Sequence, residues 1–172
     1  MSSLNIDLFY IIPELIITSA LLLIVVADLI SDKTRRLIPF IACVSIFSAS
    51  LAVLSQSGFN VTPFEDSKLF VRPFELLTVD PAGNFFKLVI LIASLFMIRI
   101  STVSLEIKNS ITGIGEYYTL LFGMILGMML MTSSTNMIML YISIELLSLS
   151  SYILAGYSKN IKRSSEASLK YL

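Results

Sequence analysis

The sequence predicts an all-α membrane protein with about five transmembrane helices and the start of a sixth. Three observations carry this. Of 172 residues, 56% are hydrophobic and only 14% are charged, whereas soluble domains carry about 25% charged residues. Mean hydropathy is +0.88. Apolar stretches close to the roughly 20 residues needed to cross a bilayer recur along the chain, separated by polar connections.

Composition also excludes several function classes. Formal net charge is zero and there is no His, so the basic footprint of a nucleic-acid-binding protein is absent and no nucleic-acid partner is expected. The single Cys43 supports neither a disulfide framework nor a Cys/His metal site. It reads as a packing residue, and no metal ligand is assigned. The first residues, MSSLNIDLFY, lack a positive n-region and include Asp7. They do not read as a cleaved secretory signal, and the first apolar segment is expected to remain as a span.

The elements follow in order. The first span is predicted over 11–30, with Pro13 in its first turn, where a missing N–H costs little. Glu14 then faces the positive end of the helix dipole, and Asp28 reads as an interfacial residue near the far end. A basic loop, SDKTRR at 31–36, leads to the second span at 37–54. The long connection 55–84 holds Gly58, Pro63, Pro73 and Pro81 with four acidic residues and four Phe. It is expected to fold back onto the protein, with a short hairpin as one form; its Asn60–Thr62 sequon reads as a chance match. The third span is predicted over 85–100, with Lys87 and Arg99 snorkelling to the two interfaces. The fourth, 117–132, carries Gly123 and Gly127 as GxxxG, which permits close helix approach. After a tight turn at 133–135 comes the fifth span, 136–157. A basic loop with Lys159, Lys162 and Arg163 then precedes a helix start over 166–172, for which Ser164 or Ser165 is the candidate cap. Lys170 stands four residues after Glu166, the favourable order for a helical ion pair. Because this helix starts well and stops early, the chain, a single integral membrane region over 1–172, reads as a fragment or as one piece of a split subunit.

The fifth span carries the most informative residue. Glu145 lies near the middle of YISIELLSLSSYILAG (141–156). A carboxylic acid at a helix centre is penalised by about 2.5–3.5 kcal/mol on insertion scales, so it usually faces a partner or a wet cavity. At 100° per residue, Tyr141, Glu145, Ser148 and Tyr152 share an arc of roughly 60°. Such a stripe suits a proton relay, with hydroxyls and water serving the carboxylate. It equally suits a helix–helix seam in which Ser and Tyr act as polar glue, and the residues alone leave both readings open.

Orientation follows from the loops. Those after spans one, three and five hold Lys33, Arg35, Arg36, Arg99, Lys108, Lys159, Lys162 and Arg163, against Lys68 and Arg72 on the other side. The positive-inside rule then places the amino terminus outside. The expected location is a bacterial inner membrane, multi-pass, with an organellar membrane as the variant.

Three stretches carry a resemblance: GEYYTLLFGMILGMMLM, YISIELLSLSSYILAGY and SSEASLKYL. Together they resemble subunit N (NADH dehydrogenase subunit 2) of proton-translocating NADH:quinone oxidoreductase, complex I. PELIITSALLLIVVADLI and VDPAGNFFKLVILIASLFM fit the same family more loosely. The resemblance implies an antiporter-like inverted-repeat bundle with a broken helix in each repeat. It implies that Glu145 matches the family's buried carboxylate and Lys170 a buried lysine, with Tyr141, Ser148 and Tyr152 as candidate water or relay lining. The likeness covers the whole chain but only about the first third of a full-length member, which implies that this is the N-terminal third of a larger subunit. The family's further lysines lie beyond it, so pumping by the isolated chain is not expected.

The function this implies is a non-redox, membrane-arm subunit that takes part in proton translocation coupled to quinone reduction. Burial favours the neutral forms of a carboxylic acid and an amine, while proximity of opposite charge favours the ionised pair, so a Glu–Lys pair that opens and closes can pass a proton. The chain has no Gly-rich nucleotide loop, cysteine cluster or haem-ligating His. No cofactor is therefore assigned to it, and NADH, FMN, iron–sulfur clusters and quinone are expected in partner subunits. The expected partners are other membrane-arm subunits, including antiporter-like ones, and the lipid bilayer. Two alternatives stand beside this reading: a subunit of a cation/proton antiporter, and a structural membrane piece with no transport of its own.

Overall fold

The computed structural model describes residues 2–30, 37–56, 77–103, 113–157 and 162–171. The basic loops at 31–36 and 158–161, most of the suggested hairpin region and the sequon at 60–62 lie outside them. Six helices occur among the described residues: α1 (Ser2–Ile30), α2 (Ile38–Gln56), α3 (Pro81–Val103), α4 (Ile114–Ser133), α5 (Met137–Ala155) and α6 (Lys162–Tyr171). Five are long and apolar enough to cross a membrane. The chain is a multi-pass, all-helical membrane protein.

Helices α1 to α4 form a four-helix bundle. Helix α1 packs against α2 and α4, and α3 packs against the same two, so α1 and α3 face each other across a diagonal. The core between them is built from Ile17, Ile24, Ile46, Leu91, Ile98, Tyr118, Phe122 and Ile125, all buried. Cys43 packs at the edge of this core. The outward faces carry Leu22, Phe40, Phe47, Phe96 and Ile100, as expected where the surrounding solvent is hydrocarbon.

Helix α5 lies outside the bundle, against α4. The approach depends on two glycines. A Cβ on Gly127 would meet the Leu147 backbone nitrogen at 2.9 Å and the Ser143 carbonyl at 3.0 Å. One on Gly123 would meet Ser150 Oγ at 2.9 Å. The GxxxG spacing therefore brings two backbones together here.

Local chemistry sets the helix ends. Asp80 Oδ1 accepts a hydrogen bond from Gly83 N at 3.2 Å, and Pro81 occupies the first helical position of α3, where its missing N–H would be unpaired in any case. Asn136 caps α5 by accepting from Ile138 N at 3.1 Å. Leu77 pairs in an antiparallel bridge with Ser134, supported by Thr78 N donating to the Ser133 carbonyl at 2.7 Å. The end of the long connection is thereby attached to the α4–α5 turn.

Three expectations change. Helix α1 begins at Ser2, so Pro13 lies inside it and Glu14 is far from any helix start; the residues before Pro13 continue the helix instead of preceding it. Lys87 is buried and does not snorkel. Asp28 stays in the last turn of α1, half-buried and so close to Gly115 of α4 that a Cβ there would overlap its carboxyl group. Helix α6 begins at Lys162, and the Ser164 hydroxyl caps no N-terminus but donates to the Ala155 carbonyl at 3.0 Å.

Candidate functional site

Two acidic residues define two separate places. The first is inside the bundle. Lys87 on α3 and Glu14 on α1 meet with Nζ to Oε1 at 2.6 Å, their side chains 1% and 5% exposed. The contact is an ion pair by distance and not an aligned hydrogen bond, since both Glu14 oxygens lack a geometrically sound donor among the described residues. Helix α2 carries no charged residue, and the sole charge on α4 is Glu116, exposed at the opposite end of the bundle. The pair is therefore the charged centre of an apolar core.

Lys87 belongs to a polar file. Asn84, Lys87, Leu91, Ser94, Ile98 and Ser101 are all buried, and their spacing of three and four residues keeps them within an arc of roughly 100°. The file ends at Ser101, whose hydroxyl donates to the Tyr118 hydroxyl at 3.3 Å. At the other end, Asn84 Oδ1 and Ser133 Oγ are buried without a hydrogen-bond partner among the described residues.

The second place is the outer face of α5. Ser143 and Ser150 are its buried residues and face α4. Tyr141 and Glu145 are exposed, and Ser148 and Tyr152 half-exposed, on the opposite side. The stripe read from the sequence is thus one continuous face, and α4 does not cover it. Ser148 Oγ is engaged with its own helix, donating to the Ile144 carbonyl at 2.8 Å. Tyr152 stacks edge-on against Tyr171 of α6 with ring centroids 5.3 Å apart. Lys170 forms its ion pair with Glu166 at 2.9 Å, both side chains largely exposed at 75% and 63%. Its partner in this chain is therefore its own helix and not Glu145.

Sequence reasoning missed the first place. Read locally, Glu14 suits a helix end and Lys87 an interface, and neither reading points to the other residue. The signal that finds Lys87 is the recurrence of Asn84, Ser94 and Ser101 on its face of α3.

Residues 134–172 match the family described as NADH:quinone oxidoreductase/Mrp antiporter, TM. The chain is 36% identical over 163 residues to NADH-quinone oxidoreductase subunit N 2 of Chloroherpeton thalassium, covering 94% of this chain and 30% of that protein. It is 37% identical over 161 residues to NAD(P)H-quinone oxidoreductase subunit 2 of Gloeobacter violaceus, covering 93% of this chain and 29% of the relative. The chloroplastic subunit 2 of Mesostigma viride is 35% identical over 173 residues, covering 99% of this chain and 32% of that protein. The chain is homologous to part of subunit N. It spans about 30% of the length of the relatives it matches. The matched family segment begins at the α4–α5 turn and contains Glu145 and Lys170. Glu14 and Lys87 lie outside that segment but inside the region similar to subunit N, which covers nearly the whole chain.

Proposed function

We propose that this chain is part of a membrane-arm subunit of an NADH:quinone oxidoreductase and takes part in proton translocation. Glu145 is the proton-loading group in this reading. The observation that carries it is the Tyr141–Glu145–Ser148–Tyr152 face. It presents an intramembrane carboxylate and three hydroxyl-bearing side chains on the side of α5 away from α4. A carboxylate left facing hydrocarbon would be strongly penalised, so the face is suited to a further protein element or a wet passage. The extra length of the subunit N relatives supports an element of that kind.

Lys170 is the relay candidate on the neighbouring helix. Its exposed pairing with Glu166 is of the weak, readily exchanged kind, which suits a lysine that changes partner. Redox chemistry is assigned to partner subunits. The proposed location is a bacterial cell membrane or an organellar one, with the amino terminus outside.

The test is Glu145→Gln in the intact complex. Proton pumping per electron should fall sharply while assembly persists. An unchanged proton-to-electron ratio in the assembled variant would overturn the role. A second reading, cation/proton antiport without NADH oxidation, is favoured by the Mrp antiporter half of the matched family description. Copurification of redox subunits with this chain separates the two.

A further inference from the structure

We propose that Glu14 and Lys87 form a second proton-exchange site, hydrated by internal water and separated from Glu145 by α4. The proposal rests on the translocation reading above.

The buried pair alone would be consistent with a structural ion pair. Three further observations set it apart. First, one carboxylate against one ammonium leaves most hydrogen-bonding capacity unused. Both Glu14 oxygens lack an aligned donor, and the pair makes contact by charge. Second, Asn84, one helical turn from Lys87 on the same face of α3, has a buried Oδ1 with no partner among the described residues. Ser133 Oγ, at the same end of the bundle, is likewise buried and unpartnered. Buried polar atoms left unpaired by protein are the usual ligands of internal water. Third, no other charged side chain lies on the adjoining helices α2 and α4 except Glu116 at the far end, and the carboxylate at the start of α3, Asp80, is engaged by the Gly83 N–H.

The step balances within the pair. The Lys87 ammonium gives a proton to the Glu14 carboxylate, leaving an amine and a carboxylic acid with no change in net charge. Water bound near Asn84 and Ser133 then exchanges the acid proton with the nearer membrane face. A neutral pair is favoured by low polarity and an ionised pair by proximity, so a small separation of α1 and α3 shifts the equilibrium. By helix rise, Lys87 and Glu145 stand about 9 Å and about 12 Å from the starts of their helices. Those starts lie at the same end of the bundle, which places the two sites at similar depth on opposite sides of α4.

Lys87→Arg in the intact complex tests this. A guanidinium preserves the ion pair but does not release its proton. Pumping should fall by about tenfold or more, with quinone reduction and assembly less affected. The double variant Glu14→Gln with Lys87→Met removes both charges and should also lose pumping, whereas a purely structural pair would tolerate it. Glu145→Gln is measured in parallel. If that variant is impaired while Lys87→Arg and the double variant pump normally, the present inference fails and the translocation reading stands. If all of them pump normally, both fail. If Lys87→Arg is impaired and Glu145→Gln is not, the pair is an exchange site in its own right. Loss of assembly in both pair variants would assign Glu14 and Lys87 to folding and overturn the proposal.

Discussion

Lys87 Nζ and Glu14 Oε1 meet at 2.6 Å across the diagonal of the four-helix bundle, in side chains that are almost wholly buried. Removing one partner of such a pair strands the other charge in an apolar core, which costs about 3–5 kcal/mol, whereas removing both is often neutral. Lys87→Met alone should therefore reduce the amount of folded protein and lower the thermal midpoint in detergent. Adding Glu14→Gln should recover most of the loss. A double variant no better than the single one would show that the charges themselves hold α1 against α3.

The two glycines of α4 should respond unequally to alanine. At Gly127 the obstacle is backbone of α5, the Leu147 nitrogen and the Ser143 carbonyl, and backbone cannot step aside. Gly127→Ala should push α5 away and destabilise by about 1–3 kcal/mol, the range for overpacking. At Gly123 the obstacle is the Ser150 hydroxyl, which can rotate, so the cost there should be smaller. Thermal unfolding of the two variants under one set of conditions makes the comparison.

Tyr118→Phe should cost little. The Tyr118 ring is buried and its hydroxyl accepts from Ser101 at 3.3 Å. A net side-chain hydrogen bond contributes about 0.5–1.5 kcal/mol. Ser101 can turn to a carbonyl of its own helix once the phenol is gone, as Ser94 does with the Ile90 carbonyl at 2.7 Å. The loss should fall at the low end of that range, read as a shift in the thermal midpoint.

Lys170→Ala should separate stability from function. Its pair with Glu166 is an exposed i,i+4 contact, worth about 0.3–0.5 kcal/mol. The thermal midpoint should barely move. A large fall in proton pumping beside that small change is the expected outcome for a relay lysine, and unchanged pumping would make Lys170 a surface residue.

Orientation can be read by reporter fusions. A fusion at residues 31–36 should report the cytoplasm and one at Ser134–Asn136 the outside, if Lys and Arg bias sets the topology. The reverse pattern would invert the side from which Glu14 and Lys87 exchange protons.

The spans were legible because crossing a bilayer imposes a length and a composition on each local window of sequence. The Tyr141–Glu145–Ser148–Tyr152 stripe was legible because helical periodicity is also local: 100° per residue fixes which side chains share a face. The length of α1 was not, because a proline inside an apolar stretch reads as a start even where the preceding residues are helical. The sequence by itself thus determined the helical membrane class, the near-isolated acid in the fifth span and the close-approach motif of the fourth. Only the tertiary structure decided which way that acid faces and which acid meets Lys87. Those facts depend on the rotation and axial register of one helix against another, set by packing among residues far apart in the chain. The Gly123–Gly127 ridge turns Ser143 and Ser150 inward and so turns Glu145 outward. The order of helices around the bundle brings Glu14 and Lys87 face to face, and no local window contains both.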